Sequence, residues 1–310
     1  MKTILAFLPE SISGLIGSLP REILDSLEEI RIRISRPIEI MTGGKAHFLP
    51  YRATQEDSVR FLNALSQFSL YTLDEELRRG YVTIEGGHRV GLAGKVILEH
   101  GSVKAVRDIS SYNIRIARQK IGAGEPLIPC LHQNGQWLHT LIIGPPQTGK
   151  TTILRDLARI ISSGFGSFGI EPSKVGIVDE RSEIAGSLKG VPQLDLGDRV
   201  DVLDGCPKAE GMMMLIRSMS PEVLVVDEIG RREDTDAVLE AANAGIRLFI
   251  TTHGETLQEI RKRPIIHEIL RHGIFERFIE LGRAGVPGVI AGILDKDGNR
   301  VDRSMAGRHD

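Results

Sequence analysis

The chain has 310 residues, 41% hydrophobic and 26% charged, which argues against disorder and coiled coil and leaves room for two ordinary domains or one large α/β domain. Its 39 basic and 41 acidic residues divide as 16 against 14 over residues 1–118 and 23 against 27 beyond, so neither part carries the single-sign excess of a nucleic-acid-wrapping body. Cys130 and Cys206 are too few for a disulfide scaffold or a four-thiolate zinc site, no uncharged apolar run reaches the roughly 18 residues of a membrane span, and Pro9-Glu10 cut the apolar start short of a signal segment, so a cytoplasmic protein is expected.

In the first third, Glu29 to Ile34 alternates strictly, which sets the isoleucines on one face of a strand and the arginines on the other. Thr54 followed by Asp57 starts a helix with Val59, Phe61, Leu62, Leu65 and Phe68 at helical spacing, and Thr72 to Arg79 reads as a second short helix ended by Gly80. Strands then follow at Tyr81–Ile84, Val90–Leu98, Val103–Val106 and Tyr112–Ala117, with turns at Gly86-Gly87 and His100-Gly101. This predicts an α+β module over residues 1–118. The aperiodic, Gly- and Pro-containing stretch 119–130 reads as a linker.

From Leu138 the pattern changes. Strand candidates at Leu138–Ile143, Val175–Val178, Val223–Val226, Arg247–Thr251 and Val289–Leu294 alternate with helices at Thr151–Ser162, Ala209–Met219, Thr235–Ala244 and Thr256–Lys262. Continuous apolar runs such as Val223–Val226 suit strands covered on both faces of a mainly parallel sheet. The expected fold is therefore α/β over residues 131–295, with a polar tail at 296–310. Asp234 is expected to cap one helix, Thr256 and Glu259 to form a capping box, Arg155 and Asp156 to be solvated, and Met212, Met213, Met214 and Met219 to fill core or interface.

Gly144-Pro145-Pro146-Gln147-Thr148-Gly149-Lys150-Thr151, between an apolar strand and a helix, matches the P-loop pattern G-x-x-x-x-G-K-[ST]. Such a loop turns backbone N–H groups inward around phosphates; Lys150 neutralises phosphate charge, the Thr151 hydroxyl can ligate Mg²⁺, and Thr152 continues the helix N-terminus that faces the anion. ATP and Mg²⁺ are the cofactors this pattern predicts. Two later strands end in acidic pairs, Asp179-Glu180 and Asp227-Glu228. A carboxylate there can hold Mg²⁺ and another can orient the attacking water, with Asp227 assigned to the metal side and Glu180 or Glu228 to the water. Thr251-Thr252-His253 ends the next strand, where His253 could sense the γ-phosphate.

In this order, phosphate loop, Val178–Glu183, Ser220–Gly230 and Thr251–Gly254, the motifs resemble the Walker A, Asp, Walker B and His boxes of the secretion ATPases, the RecA-like motors of type II and type IV secretion and pilus systems. Gly86–Lys95 and Ser111–Arg118 narrow the resemblance to the stage III sporulation protein AA family. It implies a RecA-like P-loop domain behind a smaller N-terminal domain, a ring of identical subunits (six in number), and membrane-protein partners at a channel between mother cell and forespore, with no nucleic-acid partner and no membrane insertion. It also implies Glu180 (or Glu183) as the water-activating base, Glu228 and His253 as Walker B and His-box residues, and a charge-neutralising arginine from the N-terminal side, for which Arg107, Arg115 and Arg118 are candidates. Gln147 departs from the small residue usual in such loops, and no zinc-binding cysteine set is present. An ATP-binding scaffold with little turnover and, more remotely, a nucleic-acid motor are the alternative functions.

Overall fold

Proline placement shapes the start of the chain: Pro9 and Pro20 precede helices α2 (Glu10–Gly17) and α3 (Arg21–Ser26), and α1 (Lys2–Phe7) comes before both. The computed structural model describes residues 1–66, 80–283 and 288–301, so the helix expected at Thr72–Arg79, Phe68 and the last nine residues of the tail lie outside the described residues. The chain divides into two compact units, Met1–Arg118 with Gly186–Gln193, and Gln119–Ala185 with the chain from Leu194 onward. No helix among the described residues is long and apolar enough to cross a membrane.

In the first unit, β1 (Leu27–Arg33), β2 (Pro37–Thr42), β3 (Lys45–Arg52), β4 (Tyr81–Ile84), β5 (His88–Glu99) and β6 (Ser102–Arg115) form an antiparallel sheet in the order β3-β2-β1-β6-β5-β4. The predicted alternation in β1 holds: Ile30 and Ile32 are buried, while Arg31 and Arg33 pair with Glu29 and Glu39. These isoleucines share a core with Ile4, Ile12 and Ile16 of α1 and α2 and with Phe61 and Leu65 of α4 (Gln55–Ser66); Val59 is exposed. The two strands expected at Val103–Val106 and Tyr112–Ala117 are one. Gly94 explains the continuity, because a Cβ there would lie 2.5 Å from the Arg107 carbonyl, and its absence lets β6 bulge past Asp108 (φ 46°) without breaking.

His88 lies buried in this unit with Nδ1 accepting the Ala117 N–H at 3.0 Å, and burial, helped by the positive chain N-terminus, pushes its pKa down to about 4. A histidine with a depressed folded pKa contributes stability above the unfolded pKa of about 6.5 and loses it as pH falls toward 4, here roughly 3 kcal/mol. Urea unfolding of wild type should weaken by about that amount over this window, and His88→Gln should flatten the dependence; a slope unchanged in the variant would refute the assignment.

The second unit holds β9 (Thr140–Gly144), β10 (Val175–Asp179), β11 (Val200–Asp204), β12 (Val223–Val226), β13 (Arg247–His253), β14 (Arg277–Leu281) and β15 (Ile290–Asp295) in the order β11-β10-β12-β13-β9-β14-β15. All pairs are parallel except β14–β15. A short ribbon of β7 (His132–Gln133) and β8 (Gln136–Trp137) stands apart. Strand side chains alternate between two cores: Ile142, Ile177, Val225 and Phe249 pack with Ile153, Leu157 and Ile161 of α6 (Lys150–Ser163), and Leu141, Val178, Val226 and Ile250 with α7 (Lys208–Ser218) and α8 (Arg232–Asn243). The sheet is thus covered on both faces, as its apolar strands require.

Several expectations are corrected here, while capping by Asp234 and Thr256 holds. Residues 119–130 are no free linker: the 3₁₀ turn Glu125–Leu127 and α5 (Ile128–Leu131) bury Leu127, Ile128 and Cys130 in the second core. Residues 296–301 of the expected tail fold back, with Leu294 bridging Arg300 and Val301 packed on the core. Asp234 sits inside the first turn of α8 and accepts the Gly230 and Arg231 N–H groups at 3.0 and 2.9 Å. Thr256 caps α9 (Leu257–Ile260) through the Glu259 N–H, while the Glu259 carboxylate takes the Glu255 N–H, and α10 (Pro264–Arg271) follows. Met212 is buried, but Met214 and Met219 are exposed.

Arg155 and Asp156 are buried, not solvated, because loop backbone closes over α6 and needs their charges. Arg155 donates to the carbonyls of Glu183 and Ile184; Asp156 accepts the Gly124 N–H at 2.8 Å and pairs with Arg159 at 2.9 Å. Asp156→Ala would leave that N–H and Arg159 uncompensated. A loss of about 2–4 kcal/mol in chemical denaturation is expected.

Candidate nucleotide site

β9 ends at Gly144 and α6 begins at Lys150, so residues 145–149 form the tight connection between a central parallel strand and a helix N-terminus. Gly144 is required by space, since a Cβ would stand 2.5 Å from Thr148 Oγ1 and 3.3 Å from Lys150 Cγ. Gly149 precedes the helix at φ 89°, and Gln147 also takes a left-handed backbone, φ 65°. Thr148 donates to the Pro145 carbonyl at 2.8 Å, Pro146 and Gln147 are exposed, and Thr151 and Thr152 are half-buried on the first turn.

The Lys150 ammonium is buried within this loop. It donates to the Gly144 and Pro145 carbonyls at 2.8 and 3.0 Å and meets His253 Nδ1 at 3.0 Å. Burial pushes its pKa down, opposed by the charges of Asp227 and Glu228. An ammonium can only donate, so His253 Nδ1 accepts and Nε2 carries the proton toward Glu228 Oε1, 2.8 Å away. Thr251 ties the neighbouring strand in, donating to Asp227 Oδ1 at 2.6 Å while accepting the Glu228 N–H at 2.8 Å. Thr151 reaches the other oxygen of Asp227 at 3.2 Å. The ends of β9, β12 and β13 thereby gather Lys150, Thr151, Asp227, Glu228 and His253 in one network. Glu228 adopts φ 45°, a conformation that costs a non-glycine residue energy.

The Asp179-Glu180 pair is divided by its environment. Asp179 is buried, and its two oxygens accept the N–H groups of Glu183, Ile184 and Ala185 at 2.8–3.0 Å, so it shapes the loop; burial holds its pKa up at about 6. Glu180 turns to Lys208, with Arg231 at 3.7 Å from its second oxygen. Arg181 in turn lies 3.3 Å from Glu228 Oε2. Lys208, Arg181 and Arg231 were not foreseen from the sequence. Within the first unit, Arg107 is exposed, Arg115 lies 3.5 Å from Glu29, and Arg118 donates to the Leu27 carbonyl at 2.8 Å.

The residues fit a Mg²⁺–nucleotide. A glycine-dependent loop at a helix N-terminus provides the anion cradle, and one hydroxyl with one carboxylate matches a cation that takes its remaining oxygens from phosphate and water.

Comparison with known proteins bears on the chain as a whole. A family model described as "Sporulation stage III, protein AA" matches residues 2–301. The chain is 56% identical over 304 residues to stage III sporulation protein AA of Bacillus subtilis (strain 168), covering 98% of each. Among solved structures, the Legionella pneumophila ATPase DotB aligns with 89% of this chain and 78% of its own at TM-score 0.58 and 17% identity. The pilus retraction motor PilT, with bound ADP, aligns with 92% and 84% at TM-score 0.59 and 17% identity. At that identity the likeness shows the fold, a RecA-like α/β unit preceded by a smaller α+β unit. The chain belongs to the stage III sporulation protein AA family.

Proposed function

We propose that the protein is a Mg²⁺-dependent ATPase whose hydrolysis cycle, in a ring of identical subunits (six by analogy with secretion ATPases), energises assembly of or transport by a membrane complex, the mother cell–forespore channel of sporulation. The observation that carries the reading is the continuous Lys150–His253–Glu228 contact chain beside the Thr151–Asp227 pair, at the mouth of a phosphate-binding loop. In this reading the loop N–H groups and Lys150 bind and orient the phosphates, and Thr151 and Asp227 hold the cation side. Mg²⁺ supplies neutralisation of the charge that develops on the phosphoryl oxygens. Glu228 accepts a hydrogen bond from the attacking water, steadied by His253 Nε2–H; Glu180, fixed by Lys208, provides the second carboxylate. His253 loses or keeps Lys150 as partner according to whether a γ-phosphate takes the ammonium, which makes it the reporter of nucleotide state. Arg107, Arg115 or Arg118 supplies the arginine of the N-terminal side, and membrane proteins hold the ring at the cytoplasmic face of the membrane.

The test is steady-state ATP hydrolysis by wild type and by Lys150→Ala, together with native mass measurement with and without ATP. Turnover equal in both proteins would remove the ATPase reading, and a strict monomer under both conditions would remove the ring.

A further inference from the structure

Lys208 occupies an unfavourable place for a cation. It is the first residue of α7, where unsatisfied N–H groups and the positive end of the helix dipole repel it, and its side chain is only 10% exposed. Glu180 offsets both costs: Lys208 Nζ contacts Glu180 Oε2 directly, and the Glu180 side chain is itself 20% exposed. Arg231 approaches the other oxygen at 3.7 Å, but with 70% of its side chain exposed it contributes little. Lys208, with smaller help from Arg231 and Arg181, holds the Glu180 carboxyl below its ordinary range against the effect of burial. The same field reaches Cys206, whose thiol is pushed up by burial and by the charges of Glu210 and Glu180. Glu180 follows β10, the strand that pairs with β12 and so stands next to the strand leading to Asp227-Glu228.

We propose that Lys208 is the positioning residue of Glu180, fixing its carboxylate at the end of β10 so that it serves the water-orienting step beside Glu228. The proposal rests on the ATPase reading, and it differs from a purely structural ion pair in what must follow when the two residues are changed together. Lys208 acts only through Glu180, so the losses of the single variants should not multiply.

The experiment measures ATP hydrolysis by Lys208→Met, Lys208→Arg, Glu180→Gln and the double variant Glu180→Gln/Lys208→Met. Lys208→Met should lower kcat by about tenfold or more with KM for ATP within about twofold, as expected for a misplaced reacting group with an intact binding loop. Lys208→Arg should recover most of the loss, and the double variant should be no slower than Glu180→Gln. Unchanged kcat in Lys208→Met, or losses that multiply in the double variant, would overturn the proposal. Hydrogen exchange of the nucleotide-free chain separates this from the ATPase reading. Lys208→Met should speed exchange across Glu180–Ser182 and leave residues 144–151 unchanged. If exchange at Glu180–Ser182 is unaltered, the positioning role falls whether or not the chain hydrolyses ATP. A wild type without turnover, but with that exchange response, sinks the ATPase reading alone.

Discussion

Replacing Lys150 by alanine is expected to reduce ATP hydrolysis by about 10³-fold or more while leaving the unfolding midpoint unchanged or raised. The first half follows from what the ammonium does in the proposed reaction, where a preorganised cation at the developing phosphoryl charge supplies several kcal/mol that water cannot replace. The second half follows from its partners without nucleotide. Its nearest contacts are two carbonyls of its own loop and a histidine nitrogen, all uncharged acceptors, and the carboxylates of Asp227 and Glu228 act on it only through the field. A buried cation so placed is desolvated without a contacting counter-charge, a net cost that alanine removes. Phosphate would be the better partner, so the same imbalance favours nucleotide binding. Hydrolysis and urea unfolding measured on one preparation decide the matter. A variant that loses activity only in proportion to lost folded protein would show Lys150 to be structural.

How much of this was legible in the sequence depends on whether the constraint is local. The candidate phosphate loop was legible because its pattern lies in backbone geometry: Gly144 is fixed by space and Gly149 by its φ of 89°. Asp227, Glu228 and His253 were legible because apolar strands point their C-terminal ends at that loop. Lys208 was not, since the contact joins a helix start to a strand end 28 residues away with no spacing rule behind it. Arg155 and Asp156 misled for a related reason. On a helix wheel they look like a solvated face, and only loop backbone arriving from residues 124, 183 and 184 turns them into buried partners. The half-buried edge strand β11 and the strand β14 escaped notice, being five residues each without the continuous apolar run that marks β12. The excursion of residues 186–193 into the first unit left no compositional mark either.

Glu228→Gln should separate binding from turnover: kcat falls by about 10²–10³-fold while ATP affinity is retained. Glutamine keeps the shape, and its amide oxygen can still accept the His253 Nε2–H now directed at Glu228 Oε1. The main chain is also undisturbed, because φ 45° costs glutamine what it costs glutamate and the N–H bond to Thr251 Oγ1 remains. What disappears is the negative charge that draws the attacking water's proton and balances Arg181 at 3.3 Å; that exposed pair contributes little to stability, so folding should not obscure the result. Glu180→Gln should lose less, because Glu180 is joined to Lys208 rather than to the chain that reaches Lys150. Equilibrium binding of a fluorescent ATP analogue beside steady-state hydrolysis checks both statements. Wild-type turnover in Glu228→Gln would remove it from the water-orienting role, and a larger loss in Glu180→Gln would transfer that role to the carboxylate that Lys208 holds.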